Sequence, residues 1–500
     1  MSACSNDPAR LPREPLHAKS FFRRLLFFLA LAFLLEVLGT VSPCSQSIVD
    51  AAPNNLLSQN QWMSIYFQGA KIGYYTFEIS PEDTGFLFAE STFLRMSILG
   101  QRRSIVLRTT CHVRDDLSLL DFTFVMDSDP AHYEIMGSVT DKGLLVRYIN
   151  AAGNSEMTIP AAGPLYLPLC IPALVTSKGL KVGRSFVFST FDPLTQKLDS
   201  LEARVEAQET VSSPVFTGTA FKLNIKQYDI AMGLWIDPEG RIVREESPPG
   251  MVLVADTPEG ARQGMRENDP LVDIARATRV PVNGTIHNPR TTRHLTLRIQ
   301  GIDIDLFDVS GGRQKVYGDL VDIERENIEN IPTLTLPITD SRFLPYLSPE
   351  PYIQSTNPQI QQQAMEIIGR ERDALRAARL ITTWTFHNLQ KTPLLAVPNA
   401  LEILRVKRGD CNEHAVLTAA LMRSVGIPCR LITGLVYTNG AFAYHAWNEA
   451  FVGEWISVDA TFDQVPADAT HLRLIEGGLE RQTRLMKIIG VIRLAVESSR

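Results

Sequence analysis

Three side chains in the C-terminal part of the chain, Cys411, His445 and Asp459, are of the types that nucleophilic catalysis uses. Cys411 lies in RGDCNEHAVLTAALMRSVGIP, where Asp410 can cap a helix and Glu413, three residues on, can complete a capping box. A sulfur on the first residue of a helix faces free backbone N–H groups and the positive end of the helix dipole, which favour thiolate over thiol. A thiolate needs a base that holds its proton and passes it to the leaving group, and the base needs an acceptor that orients it. His445 and Asp459 can supply both. The bland alternative is that Cys411 is one more small buried residue, the common fate of cysteine.

Whether Asp459 reaches His445 turns on one hairpin. After the turn at Asn439-Gly440, Phe442, Tyr444, Ala446 and Asn448 share one strand face, and Ala443, His445, Trp447, Glu449 and Phe451 share the other. A three-residue loop, Val452-Gly453-Glu454, pairs Phe451 with Trp455 and makes Asp459 the diagonal neighbour of His445. A two-residue loop sends them to opposite faces. The run from Ala415 to Val425 is apolar apart from Thr418, Arg423 and Ser424, so the cysteine helix is expected deep in a core, ending at Gly426 and Pro428. Periodicity predicts one helix over 359–389 and a shorter one over 399–406, and four prolines mark a linker at 344–359.

The chain has 500 residues, 45% hydrophobic and 21% charged, enough for roughly two to four domains. Its net charge of -6 gives no basic footprint for nucleic acid, and that class is set aside. Lys19, Arg23 and Arg24 precede the apolar run Leu25 to Leu35, and small residues follow up to Ser47. This is a signal-peptide pattern over 1–47, with a retained anchor as the alternative and membrane association through 21–41. The expected location is periplasmic or membrane-anchored, facing outside the cytoplasm. Export permits disulfides, and Cys111 with Cys170 is a candidate bridge, whereas Cys429 reads as a core residue.

Residues 55–250 alternate with period two between frequent turn signals, which predicts an antiparallel sheet that curls or closes. His112, Asp129 and His132 fall there without motif spacing. A small mixed region spans 251–343, with a hairpin expected from His294–Gln300 and Gly301–Val309.

RGDCNEHA, YHAWNEAF and WISVDATF, in that order, resemble the three motifs of the transglutaminase-like superfamily. The resemblance covers about residues 355–475. The order helix, cysteine helix, then strands is itself α+β, and the resemblance implies a C-terminal papain-like transglutaminase core at 360–500, preceded by the large antiparallel β-rich domain read from the alternation. It also implies that Cys411 is the nucleophile, His445 the general base and then acid, and Asp459 the orienting carboxylate, without cofactor or metal. The calcium-site architecture of animal transglutaminases is not seen, so calcium activation is not carried over. The oxyanion site is left unassigned, with the backbone N–H of Cys411 expected as one contributor beside a second, unknown donor.

Two rivals come from other classes. Cys411 and His414 share a helix face and could bind zinc with His445. Alternatively, the β-rich half is the working part, binding a cell-envelope partner, with the C-terminal core as a non-catalytic scaffold. Within the thiol reading, the acyl-enzyme on Cys411 passes either to water, as in a peptidase or amidase, or to an amine, as in crosslinking. Hydrolysis of a protein or peptide substrate in the cell envelope is the expectation.

Overall fold

Period-two alternation in the first half of the chain becomes one antiparallel sheet of 14 strands. The computed structural model describes residues 58–500 except 99–100, 129–130, 151–152, 228–229, 333 and 393–398. The expected signal segment with Cys4 and Cys44, and also Asp129, lies outside these residues. Within Gln101–Val113, Ile105, Leu107, Thr109, Cys111 and Val113 are buried while the residues between them are partly or fully exposed, so one face packs inward. Each large apolar side chain buried this way contributes about 2 kcal/mol.

The sheet is two meanders, eight strands from Gln59 to Ile159 and six from Ser185 to Asp256. They join where Gln59–Phe67 pairs with Met251–Asp256. Phe122 of the first meander touches Phe191 on the outer strand of the second, with ring centroids 5.4 Å apart. The sheet therefore curls over its own apolar face, as the sequence predicts. The candidate bridge inside it is not formed. Cys111 and Cys170 are buried thiols with sulfurs 3.9 Å apart, about twice a disulfide bond length.

A five-stranded sheet follows, in the order Val282–Asn283, Arg493–Ser499, His294–Gln300, Leu320–Glu324, Gln314–Tyr317. Here the structure departs from the expected hairpin. Gly301 turns the chain at φ +84, and the Asp303 side chain caps a single 3-10 turn, Ile304–Leu306. His294–Gln300 pairs instead with Leu320–Glu324 and with the strand Arg493–Ser499.

The expected helix over 359–389 is two helices, α1 (Pro358–Ile368) and α2 (Ala374–Asn388). Gly369 ends α1 at φ +54, and the Asp373 carboxylate accepts from the Arg376 N–H at 2.8 Å to start α2. Helix α3 (Ala400–Val406) begins on the Asn399 cap as expected. All three pack around α4 (Cys411–Ser424), whose residues 411–423 are all buried. Helix α4 lies on a four-stranded antiparallel sheet built from β1 (Cys429–Thr438), β2 (Ala441–Phe451), β3 (Trp455–Val458) and β4 (His471–Glu476), in the order β3-β2-β1-β4. The fold class is the expected α+β.

Candidate active site

Helix α4 starts as the capping-box pattern predicts, with both reciprocal bonds present. The Asp410 N–H donates to Glu413 Oε2 at 2.7 Å and the Glu413 N–H donates back to the Asp410 side chain; the Cys411 N–H also donates to Asp410 Oδ1, at 2.9 Å. A side chain at position 409 would meet Glu413 Cβ at 2.3 Å, so only Gly409 lets Glu413 fold back over the cap. Cys411 is the first residue of the helix, and it is 1% exposed. Its N–H, one expected oxyanion donor, is engaged by the cap, so a substrate oxygen would have to compete with Asp410 for it. His414 lies fully buried beside it, with Nδ1 donating to the Asp410 carbonyl at 2.7 Å, and burial lowers its pKa to about 4.

The hairpin β2–β3 has the three-residue loop. Phe451 pairs with Trp455, and Asn448 with Val458, so Asp459 emerges on the His445 side. Strand β2 is tied to the cysteine helix where Asn448 Nδ2 donates to the Ala415 carbonyl at 3.0 Å. His445 Nε2 lies 2.7 Å from Asp459 Oδ2. The other carboxylate oxygen accepts from the N–H groups of Thr461 at 2.6 Å and Phe462 at 3.3 Å, which fixes the carboxylate plane.

Sequence reasoning missed three further members. His471, the first residue of β4, places Nε2 at 2.9 Å from the same Asp459 Oδ2. Its Nδ1 faces Asp468, with the carbonyl at 3.1 Å and Oδ1 at 3.3 Å. Asp468 Oδ2 is paired with Arg290 Nη1 at 2.9 Å, and the guanidinium of Arg290 lies 4.1 Å over the Phe462 ring. The signal for one pair was present, since Asp468 and His471 stand three apart in DATH. Nothing in the sequence pointed to Arg290.

Charge and burial oppose each other throughout this cluster. Burial alone would raise Asp459, but His445 and then His471 hold its carboxyl well below the usual range. Burial lowers His445 and outweighs the pull of Asp459. Burial also works against protonating His471, yet Asp468 and Asp459 together raise it.

Among the described residues, the metal-type side chains that converge are His445, Asp459 and His471; Cys411 and His414 are not in that group. Both imidazoles approach a single carboxylate oxygen at hydrogen-bond distance, 2.7 and 2.9 Å. An ion with bonds of about 2.0 Å to each would need neighbouring donors to stand farther apart. The arrangement is a hydrogen-bonded relay, and the zinc reading built on Cys411 and His414 does not fit it.

Comparison with known proteins agrees with the motifs. The family model of the transglutaminase-like superfamily matches residues 361–460. An uncharacterized protein of Mycobacterium leprae (strain TN) is 33% identical over 73 residues, 13% of this chain and 26% of that protein. The chain thus spans about a quarter of the length of the curated relative that it matches. Among solved structures, a candidate cysteine protease from Cytophaga hutchinsonii is 19% identical, covering 42% of this chain and 86% of that one with a TM-score of 0.28. A β-barrel-like protein from Brucella abortus, of a domain of unknown function, is 11% identical over 40% of this chain and 96% of its own, with a TM-score of 0.32. By motif order and family match, residues 361–460 are a transglutaminase-like domain, and Cys411, His445 and Asp459 all stand within it.

Proposed function

We propose that the protein is an exported cysteine-nucleophile enzyme that takes an acyl group from a protein or peptide amide onto Cys411 and hands it to water. One observation carries the reading: Asp459 lies 2.7 Å from His445 Nε2. That contact keeps the ring proton on Nε2 and makes Nδ1 the basic nitrogen. In the first half of the reaction, the Cys411 sulfur attacks the amide carbon and its proton passes to His445 Nδ1. The same nitrogen returns the proton to the departing amine, leaving a thioester. In the second half, His445 takes a proton from water, the hydroxide adds to the thioester carbon, and the carboxylic acid leaves as the thiol is restored. Asp459 steadies the imidazolium at both stages and stays ionised.

An amine in place of water would give a crosslink by the same chemistry. Water is preferred because the N-terminal pattern is that of an exported protein and the sequence lacks the calcium-site architecture of animal transglutaminases. Incubation with a library of peptide amides, followed by mass spectrometry of the Cys411 peptide, is expected to reveal an acyl adduct released as carboxylate. Faster incorporation of a primary amine would assign crosslinking. Undiminished product from Cys411→Ser would remove the nucleophile.

A second reading has one observation in its favour. Cys411 is 1% exposed and His445 and Asp459 are 0% exposed, as suits a scaffold whose large sheet binds a cell-envelope partner. Iodoacetamide separates the two readings: an activated thiolate is alkylated in the folded protein at mildly acidic pH, whereas an inert thiol is not.

A further inference from the structure

The proton inventory around His471 has one consistent solution. Its Nε2 faces a carboxylate oxygen, Asp459 Oδ2, and its Nδ1 faces the carbonyl and carboxylate oxygens of Asp468. These are acceptors only, and a ring whose two nitrogens both meet acceptors satisfies them only when both carry hydrogen. His471 is thus held as an imidazolium, fully buried. The anions that face it, Asp459 and Asp468, are offset by the Arg290 guanidinium on Asp468. His445 on β2 has its ring centroid 5.6 Å away, and Lys391 and His414 also act by charge on the Asp459–His445 pair. Trp447 and Phe462 complete the walls, at 5.2 and 6.0 Å.

Asp459 therefore serves two imidazoles through one oxygen. The pull that it exerts on the His445 proton is shared with a permanent cation, and burial excludes the water that would screen this. The loop that carries Asp468 is fixed from outside the matched domain, with Arg313 donating to the Ala467 carbonyl at 3.1 Å and to the Asp468 carbonyl at 2.8 Å. We propose that His471 is a positioning residue of this site: clamped as a cation between Asp459 and Asp468, it holds the Asp459 carboxylate on His445 and tempers its hold on the His445 proton. This rests on the Cys411–His445 reading for its consequence, but not for the protonation of His471 itself.

The test has two arms on the full chain. In the wild-type protein, nitrogen NMR of the histidine rings at about pH 7.5 is expected to show both His471 nitrogens protonated, well above the ordinary imidazole range. A single N–H on His471 would overturn the proposal. The second arm follows the rate of Cys411 alkylation by iodoacetamide from about pH 5 to about 9 in the wild type and in His471→Gln. The glutamine keeps an N–H donor for Asp459 but removes the charge, so both Cys411 and His445 should hold their protons more firmly. The midpoint is expected to move to higher pH by about one unit. A lower rate with an unmoved midpoint would mean a purely structural role and would overturn the proposal. A wild-type Cys411 that never reacts, with His471 doubly protonated, would refute the proposed enzyme and leave the buried cation standing.

Discussion

Gly434 lies directly across the β1–β2 ladder from His445, and a side chain on it would meet the Leu472 carbonyl oxygen at 2.0 Å. Its bareness lets β4 close against β1 and brings His471 to the site. Gly434→Ala should therefore force the β4 backbone away, costing about 2 kcal/mol of stability. Chemical denaturation measures the loss, and an unchanged midpoint would show that β4 can shift without cost.

Removing the orienting carboxylate tests the relay itself. Asp459→Asn leaves one acceptor oxygen where there were two, so it can serve either both imidazoles or the Thr461 and Phe462 N–H groups, and its N–H₂ must face donors on the other side. Turnover is expected to fall by about a thousandfold or more, with the fold retained. Kinetics beside circular dichroism check this, and a loss below tenfold would detach Asp459 from the chemistry.

Thiol selectivity is a third outcome. Burial pushes Cys429 up to about 12, and its hydrogen bond to Cys170, together with burial, raises Cys111. Neither is nucleophilic near neutrality. Mass spectrometry after brief iodoacetamide treatment at about pH 6 should find the label on Cys411 and not on Cys429 or Cys111. Equal labelling of Cys429 would indicate unfolding rather than activation.

Stability should depend on pH through His414. Its folded pKa, about 4, lies below the usual histidine value of 6.5, so the unfolded chain takes up the proton first as pH falls. Between those two values the fold loses roughly 3 kcal/mol from this group alone. His471, raised in the folded state, works in the opposite sense: its contribution is full below the unfolded value and is lost as pH rises through the folded one. His414→Gln should flatten the acidic side of a stability profile measured by denaturant titration. An unaltered slope there would place the acid sensitivity elsewhere.

The local grammar of the site was legible because each step is short-range. The cap of α4 needs only the neighbours Gly409, Asp410 and Glu413, and the β2–β3 register needs only a three-residue loop between two aromatics. Periodicity misled where a turn interrupts a stripe without breaking its phase. Gly369 split one predicted helix in two, and Asp303 bent an alternating run into a 3-10 turn. Arg290 was invisible because it meets Asp468 from far away in sequence, through packing that no window reports. Neither Cys111 nor Cys170 announces its redox state by position, and both are thiols.

The strand Arg493–Ser499 has a bearing on timing. It lies between Val282–Asn283 and His294–Gln300, the two strands that flank the loop bearing Arg290. A nascent chain emerges from its N-terminus onward, so the ribosome makes the cysteine helix well before this strand. Arg290 itself touches the Tyr437 carbonyl, the Phe462 ring and Asp468, so the strand bears on it only through the sheet that flanks its loop. In the proposed enzyme, the sheet that carries the Arg290 loop is thus completed only after the helix of Cys411 has been made.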